Sequence, residues 1–226
     1  MRSDGQARRP IRSYVLRKGR LTKAQQHALG NLWSKYGLDW SQESGLLSLP
    51  EAFGNDHPLA LEIGFGDGAH LAALADQHPE RNYLGIEVHE PGIGHLLLEA
   101  ERLELKNLRI LRQDALEVLR FGLPESSLAE VYLLFPDPWP KRKHWKRRIF
   151  SQAFLQLVGR ALRTGGLFAI ATDWEPYALH MRAVLDSDGD AFEALADKPA
   201  ARAPTKFERR GHRLGHRVWE LQLRRK

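Results

Sequence analysis

The hydrophobic and polar positions of this chain follow two alternating periods from Leu59 onward. Short apolar runs of strand length are separated by stretches in which apolar residues recur at helical spacing. The pattern predicts strands near 59–63, 82–87, 107–113, 129–135 and 166–172 and helices near 67–77, 91–105, 149–163 and 175–186, followed by two strands near 192–195 and 217–223. Strands that alternate with helices are typical of βαβ units, and therefore the sequence predicts an α/β fold with a mainly parallel sheet.

The N-terminal part of the chain has a different character. Residues 1–20 are polar and basic, and we expect them to form a mobile arm. Thr22 and Gln25 form a capping-box sequence, after which helical spacing predicts a helix that ends near Tyr36. A length of 226 residues suits one domain of this kind, which we assign to residues 21–226.

The net charge of +6 conceals a strong segregation of charge along the chain. Residues 1–23, 141–148 and 198–226 together hold 24 of the 34 Lys and Arg but only 3 of the 28 acidic residues, so these segments carry +21 and the remainder −15. Basic segments on an acidic body concentrate positive potential on limited surfaces, which favours a polyanion such as a nucleic acid as partner. A solubilising tail or an anionic membrane surface is the alternative, although no long amphipathic basic helix supports the membrane.

The composition disfavours several classes of protein. The chain has no cysteine, so disulfides and thiolate metal ligands are excluded, which suits a reducing cytoplasm. Neither a signal-like apolar region nor an apolar run of ~18 residues occurs, and we expect a cytoplasmic protein without a membrane partner. His212 and His216 have the spacing of metal ligands but lack a third ligand nearby, so we expect no metal.

A glycine-rich turn follows the first predicted strand. Gly64, Gly66 and Gly68 form a G-x-G-x-G pattern, which is one residue shorter than the G-x-G-x-x-G pattern that cradles a pyrophosphate. The shorter turn disfavours NAD as the ligand. Glu62, just before the glycines, would repel a phosphate and attract a sulfonium or amino group.

Acidic residues stand at the ends of four successive predicted strands, namely Glu62, Glu87, Asp114 and Asp137. Because ligands bind where the carboxyl ends of parallel strands meet, we expect these side chains to line one site. Glu87 could accept both hydroxyl groups of a ribose, and Asp114 could accept an adenine amino group. For any one of these acids, a helix N-cap or a solvated loop residue is the alternative interpretation.

The segment 135–148 joins a carboxylate to a dense cationic run. Its sequence, Phe-Pro-Asp-Pro-Trp-Pro-Lys followed by Arg-Lys-His-Trp-Lys-Arg-Arg, places Asp137 between two prolines that restrict the backbone on both sides. Six of the eight residues from Lys141 to Arg148 are Lys or Arg. The arrangement favours catalysis beside a nucleic-acid backbone, and a solvated basic loop is the structural alternative.

Together these features resemble the class I, S-adenosylmethionine-dependent methyltransferases and, within them, the bacterial tRNA (guanine-N7-)-methyltransferase family. The resemblance extends over nearly the whole chain, through the segments 11–22, 61–68, 85–88, 135–141, 171–174 and 205–208. The motifs Phe-Pro-Asp-Pro-Trp-Pro-Lys at 135–141 and Thr-Lys-Phe-Glu at 205–208 are highly specific when they occur together. The resemblance implies a Rossmann-like fold with a mainly parallel seven-stranded sheet, an antiparallel C-terminal strand and helices on both faces.

The resemblance also implies a role for each motif. The cofactor would be S-adenosylmethionine, converted to S-adenosylhomocysteine, and the partner would be tRNA, methylated at N7 of a variable-loop guanosine, conventionally nucleotide 46. The cofactor-binding residues would be Glu62, Gly64, Gly66, Gly68, Glu87, Asp114 and Asp137, of which Asp137 would also be catalytic. The substrate-binding residues would be Lys141, Asp173, Thr205, Lys206, Phe207 and Glu208, and the RNA-contacting residues would be Lys143, His144, Trp145, Lys146, Arg147 and Arg148.

The implied chemistry depends mainly on alignment. Guanine N7 has an in-plane lone pair and no proton, so it can attack a methyl sulfonium without a base, and in-line placement can supply ~7–11 kcal/mol. We therefore expect Asp137 and Asp173 to hold the N1 and N2 donors of the guanine as positive charge moves onto the purine. Trp139, Trp145 and Phe207 could stack on the extruded base or its neighbours, although core aromatic residues would give the same sequence signal.

Three other classes of protein remain compatible with the residues alone. A small-molecule methyltransferase would keep the acidic strand ends, but the charge segregation would then have no use. An RNA methyltransferase that acts on rRNA would share nearly every physical feature, and a non-catalytic RNA-binding protein would keep the basic segments without a need for the four acids. The sequence leaves the choice between a monomer and a homodimer open.

Overall fold

A seven-stranded sheet forms the centre of the protein, whose computed structural model describes residues 12–15, 19–195, 208 and 217–226. The strands are β1 (Leu59–Ile63), β2 (Asn82–Ile86), β3 (Leu108–Leu111), β4 (Leu128–Leu134), β5 (Leu162–Thr172), β6 (Phe192–Ala194) and β7 (Trp219–Arg225). Their order across the sheet is β3-β2-β1-β4-β5-β7-β6. Strands β1 to β5 pair in parallel, whereas β7 runs antiparallel to both β5 and β6. The predicted mainly parallel sheet with an antiparallel C-terminal strand is therefore confirmed.

Helices follow most of the strands and cover the sheet. They are α1 (Lys23–Asn31), α2 (Trp33–Tyr36), α3 (Leu49–Phe53), α4 (Ala69–Gln77), α5 (Glu90–Arg102), α6 (Ala115–Glu117), α7 (Gln152–Ala161) and α8 (Glu175–Asp188). Short 3₁₀ turns occupy Gln42–Ser44 and Arg142–Arg147, and a π-helical turn occupies Val118–Gly122. Helices between successive parallel strands are the crossover connections that a parallel sheet requires.

Helix boundaries differ from the predicted ones where a cap decides them. The predicted capping box begins α1, since Thr22 Oγ1 accepts from the Gln25 backbone N–H and Gln25 Oε1 accepts from the Thr22 N–H. The helix predicted to run to Tyr36 is divided at Leu32 into α1 and α2. The helix predicted from residue 149 begins only at Gln152, because the Ser151 hydroxyl accepts from the Phe154 backbone N–H.

The two faces of the sheet carry separate hydrophobic cores. Alternate residues of β1 point to opposite faces, so Leu61 and Ile63 join a core with α7 and α8, whereas Ala60 joins a second core with α4 and α5. Glu62 lies on the second face, paired in register with Tyr132 of β4. The alternation therefore places Ile63 and Glu62 on opposite faces at the end of β1.

Among residues 12–15, 19–195, 208 and 217–226, no helix is both long enough and apolar enough to cross a membrane. Nor do their His, Asp and Glu side chains form a group of three that could hold a metal ion.

Candidate cofactor and catalytic site

A cavity of about 400 Å³ opens at the carboxyl ends of β1, β2 and β4. This is the edge at which an α/β sheet binds its ligands, and the volume is in the range of small-molecule sites. The predicted site residues that line it are Gly64, Gly66, Glu87 and Asp137. Its other walls come from Ser13, Tyr14, Val15, Ile63, Ile86, Val88, His89, Gln113, Ala115, Leu133, Phe135, Pro136 and Ile149.

The glycine turn has a backbone conformation that other residues rarely adopt. Gly64, Gly66 and Gly68 all have positive φ, at 68°, 62° and 75°. A Cβ atom added to Gly64 would meet no atom within 4 Å, so the backbone there borders open space. The turn therefore presents bare backbone to the cavity, which allows a ligand to approach it closely.

Glu87 is fixed at the rim of the cavity by three backbone donors. Its Oε2 accepts from Gly66 N at 3.0 Å, and its Oε1 accepts from Val88 N at 2.7 Å and His89 N at 3.0 Å. A carboxylate has about four acceptor positions, so capacity remains for a ligand hydroxyl. The same contacts join the glycine turn to the end of β2, so that a ligand held by Glu87 also rests against the turn.

Asp137 stands exposed on a strained, well-anchored turn after β4. The residues two before and two after it, Phe135 and Trp139, have positive φ values of 52° and 44°, a conformation that costs ~1–3 kcal/mol for a residue other than glycine. The turn is held by bonds from Phe135 N to Ala171 O at 2.7 Å and from Arg148 Nε to Pro138 O at 2.9 Å. The flanking positive φ values and these two bonds hold the Asp137 backbone in one conformation at the cavity.

Other predicted cofactor residues lie outside the cavity wall. Glu62 is 2 % exposed, and its Oε2 lies 2.9 Å from His70 Nδ1. Gly68 is buried as the N-cap of α4, and an added Cβ would contact Leu96. Asp114 caps α6 by accepting from Leu116 N at 2.9 Å, although its sequence neighbours Gln113 and Ala115 do line the cavity. The structure thus gathers part of the predicted acidic set at the cavity and assigns the remainder local contacts.

The predicted substrate residues fall into two groups. Lys141 is exposed at the start of the basic loop, and Asp173 is half-buried directly after β5, the strand next to β4. Glu208 is half-buried, and it is described although its neighbours in the chain are not. Thr205, Lys206 and Phe207 lie outside the described residues.

The basic loop, residues 141–147, projects beside Asp137 with most of its side chains in solvent. Lys143, Trp145 and Lys146 are exposed, and His144 and Arg147 are partly so. Partial burial and the positive charge of Lys143 and Arg147 lower the pKa of the His144 imidazole. The loop thus presents several positive charges close together at the surface.

Arg148 differs from the rest of the predicted RNA-contacting set. It is 7 % exposed, and its guanidinium lies 4.7 Å from the Trp145 ring centre and 5.0 Å from that of Tyr177. With its bond to Pro138 O, this position makes Arg148 a support for the loop rather than a surface group. Burial raises the pKa of Tyr177 to about 12, and the nearby Asp137 carboxylate contributes to the increase.

Sequence reasoning missed the N-terminal wall of the cavity. Ser13, Tyr14 and Val15 line it, and Trp139 Nε1 donates to Ser13 O at 3.1 Å. Burial raises the pKa of the Tyr14 phenol, and the charge of Asp114 raises it further. These residues lie within 11–22, a segment that resembles the family but to which the resemblance assigns no role. That segment was the sequence signal that could have indicated the N-terminal wall.

The chain is similar to methyltransferases both in sequence and in fold. The family model described as "Putative methyltransferase" matches residues 56–221. Among solved structures, an antibiotic-related methyltransferase is 18 % identical, covers 82 % of this chain and 94 % of its own, and has a TM-score of 0.54. TrmN from Thermus thermophilus is 19 % identical over 79 % of this chain and 47 % of its own, also at a TM-score of 0.54. At such identities these structures support the fold alone, which is that of the class I methyltransferases.

Curated relatives resolve the family within this class. A tRNA (guanine-N(7)-)-methyltransferase of Sodalis glossinidius is 51 % identical over 97 % of this chain and 93 % of its own. The enzyme of the same name from Escherichia coli K12 is 50 % identical over 98 % of this chain and 94 % of its own. The chain belongs to the tRNA (guanine-N7-)-methyltransferase family.

Proposed function

We propose that this protein transfers a methyl group from S-adenosylmethionine to N7 of a guanosine in the variable loop of tRNA, conventionally nucleotide 46, and that it acts in the cytoplasm. The observation that carries the proposal is the cavity at the carboxyl ends of β1, β2 and β4, which has Asp137 at its rim and a cationic loop beside it. The family membership supports the same activity.

The cavity residues fit S-adenosylmethionine. When bound, this cofactor supplies a methyl group on a positively charged sulfur. The open backbone at Gly64 and the pinned carboxylate of Glu87 suit a nucleoside, since the first permits close approach and the second accepts ribose hydroxyls. Asp137 adds negative charge to the same wall, which favours a cationic ligand over a phosphate.

The protein's task toward the guanine is to hold it in line. N7 needs no proton removed, so no general base is required and alignment supplies most of the effect, ~7–11 kcal/mol. The positions of Asp137 and Asp173 support a shared role, because they follow the adjacent strands β4 and β5 and the turn of Asp137 is bonded to Ala171. We propose that their carboxylates accept from the N1 and N2 donors of the guanine, where they stabilise the positive charge that develops on the purine.

The basic loop supplies contacts to the tRNA backbone. Replacing Lys146 and Arg147 together with alanine is expected to raise KM for tRNA and to weaken the dependence of tRNA affinity on salt. Each lost phosphate contact lowers the steepness of log K plotted against log salt concentration by about 0.7–0.9. Steady-state kinetics and filter binding over a salt series measure both quantities. A control with Lys106→Ala and Arg163→Ala removes equal charge at the opposite edge of the sheet, where both side chains are exposed.

If the Lys146→Ala, Arg147→Ala protein has the same salt dependence of tRNA affinity as the wild type, the loop does not face the RNA. If the control protein loses as much salt dependence as the loop variant, the loss comes from the change in net charge and not from the loop.

The N-terminal wall gives a further prediction about the cofactor. Tyr14→Ala is expected to raise KM for S-adenosylmethionine several-fold, by about 1 kcal/mol of lost contact, because the ring lines the cavity and is partly buried there. Tyr14→Phe should retain most of the affinity if packing of the ring is the cause. Equal KM values in the alanine variant and the wild type would show that residues 12–15 leave the ligand untouched.

The proposed activity is tested by product analysis. The purified protein is incubated with labelled S-adenosylmethionine and either tRNA or rRNA, and digests are examined by mass spectrometry for N7-methylguanosine. The proposal requires the modified base in the tRNA variable loop. Label confined to rRNA would favour the alternative RNA methyltransferase, and absence of cofactor binding in calorimetry would exclude the whole class.

A further inference from the structure

A buried acid and imidazole pair lies behind the glycine turn. Glu62 Oε2 is 2.9 Å from His70 Nδ1, and the two side chains are 3 % and 2 % exposed. The His70 ring packs edge-on against Tyr132, with ring centres 5.3 Å apart. A carboxylate at this depth is costly without a partner, so the His70 bond accounts for the presence of Glu62 in the core.

The pair joins the two ends of the glycine turn. Glu62 is the penultimate residue of β1, His70 is the second residue of α4, and the turn lies between them. The N-cap of α4 is Gly68, which has no side chain to cap the helix. The positive-φ glycines give the turn little stiffness of their own, so a cross-link between its flanks limits how far α4 can move from β1.

The direction of Glu62 follows from the alternation of β1. Ile63 lines the cavity, and Glu62 therefore faces the opposite side, where its neighbours in register are Tyr132 on β4 and Gly85 on β2. Because Gly85 has no side chain and Tyr132 directs its hydroxyl to Glu130, neither of these neighbours supplies a donor to Glu62. His70 has the position and the chemistry to do so.

The His70 ring makes its polar contact on one side only. His70 Nε2 is buried and has no hydrogen-bond partner among the residues that the structure describes. Within those residues, the contact of Nδ1 with Glu62 Oε2 is therefore the one that fixes the ring and the carboxyl group against each other.

We propose that His70 is a positioning residue for the cofactor site: by holding Glu62, it clamps β1 to the first turn of α4 and fixes the glycine turn in its ligand-binding shape. This inference rests on the proposed function, because the ligand of the turn is taken to be S-adenosylmethionine.

The test compares two ligands and three variants by calorimetry. His70→Leu removes the donor, His70→Asn restores an N–H near the position of Nδ1, and Asn107→Ala is a matched control. Asn107 is a buried polar residue whose amide donates to Ala75 O, His78 O and Arg81 O, at the far end of α4. Each protein is titrated with S-adenosylmethionine and with S-adenosylhomocysteine, which lacks the positive charge, and its melting temperature is measured without ligand.

His70→Leu is expected to raise Kd for both ligands by about ten-fold, equivalent to ~1.4 kcal/mol, because the shape of the turn affects both alike. His70→Asn should recover most of the affinity, and Asn107→Ala should lower the melting temperature with Kd unchanged. The inference is overturned if His70→Leu binds both ligands as the wild type does, or if Asn107→Ala weakens binding equally. A loss confined to S-adenosylmethionine would also overturn it, since the pair would then act through its charge.

Two provisions keep the outcomes distinct. Should His70→Leu fail to fold, the double variant Glu62→Gln, His70→Leu leaves no unpaired buried charge and still lacks the clamp, so the same rise in Kd is required of it. A wild-type protein that binds neither ligand would refute the proposed function, whereas a wild type that binds both alongside an unaffected His70→Leu refutes only the role of His70.

Discussion

Replacing Asp137 with asparagine is expected to lower kcat for tRNA methylation by about 100-fold with both substrates saturating. The exchange keeps the shape of the side chain and leaves the flanking prolines in place, so the turn after β4 should persist. It removes the negative charge and presents an amide N–H to guanine groups that are themselves donors. The loss should therefore fall on the chemical step, where positive charge moves onto the purine, and single-turnover kinetics measure that step directly.

The matched control is Glu117→Gln, which removes one negative charge from an exposed residue on α6, close enough to affect Tyr14 electrostatically. Its kcat should stay within a few-fold of the wild type. Asp173→Asn should resemble Asp137→Asn if the two carboxylates share the guanine. Wild-type kcat in both aspartate variants would refute the proposed contacts. A loss of kcat in Glu117→Gln as large as that in Asp137→Asn would show that any nearby negative charge has the same effect, without contact to the guanine.

The sheet edge and its cavity could be predicted from the sequence because both depend on local periodicity. Strand-length apolar runs located β1, β2 and β4, and the carboxyl ends of parallel strands must meet at one edge. Glu87 directly follows β2 and Asp137 lies in the turn after β4, and accordingly both line one cavity. Asp114 also follows its strand, but its carboxylate caps α6. A ligand and a helix N-terminus can both use such a carboxylate, and sequence spacing alone does not show which of them does.

Glu62 shows what the period of a strand predicts and what it leaves open. Successive residues of β1 point to opposite faces, so Glu62 lies on the face opposite to Ile63, where its side chain is buried beside His70. Its position in the chain groups Glu62 with the acids at the other strand ends. Its partner, His70, looked like an ordinary helix residue, because only the packed fold brings α4 over this point of β1.

Contacts between distant parts of the chain explain the remaining differences. Arg148 belongs by composition to an exposed cationic run, yet it packs against Tyr177, which lies 29 residues further along in α8. Residues 12–15 belong by composition to a polar arm, yet Ser13 accepts from Trp139 across 126 positions of sequence. Neither contact leaves a local pattern. The resemblance of residues 11–22 to the family was the one sequence indication that part of the arm packs against the fold.

Substituting alanine for Gly92 is the second large effect that we expect, and it acts on the fold and the cofactor site together. A Cβ atom on Gly92 would lie 1.9 Å from the Gly66 carbonyl oxygen. No side-chain rotation relieves this clash, because the Cβ is fixed to the backbone of α5 and the oxygen belongs to the backbone of the glycine turn. We expect the free energy of unfolding to fall by about 3 kcal/mol, as for a severe overpacking change. Chemical denaturation with two independent probes measures it.

Gly159→Ala provides the control, since Gly159 also lies in a helix but an added Cβ would make only ordinary contacts, the nearest at 3.6 Å to Phe192. That variant should be neutral or gain ~0.5–1 kcal/mol from the helix preference of alanine. Stability of Gly92→Ala equal to that of Gly159→Ala would mean that α5 can withdraw from the glycine turn without cost.

The consequence for the cofactor follows from the position of Gly66. Its amide N–H is bonded to Glu87, so a displacement of Gly66 by α5 must also disturb the carboxylate that receives the ribose in the proposed function. Gly92→Ala should therefore raise Kd for S-adenosylmethionine by about ten-fold or more even at a temperature where the variant is fully folded. An unstable variant with normal affinity would show instead that α5 moves away from the new methyl group while the turn keeps its shape. The stiffness of the site would then have to come from β1 and from the buried pair of Glu62 and His70 behind the turn.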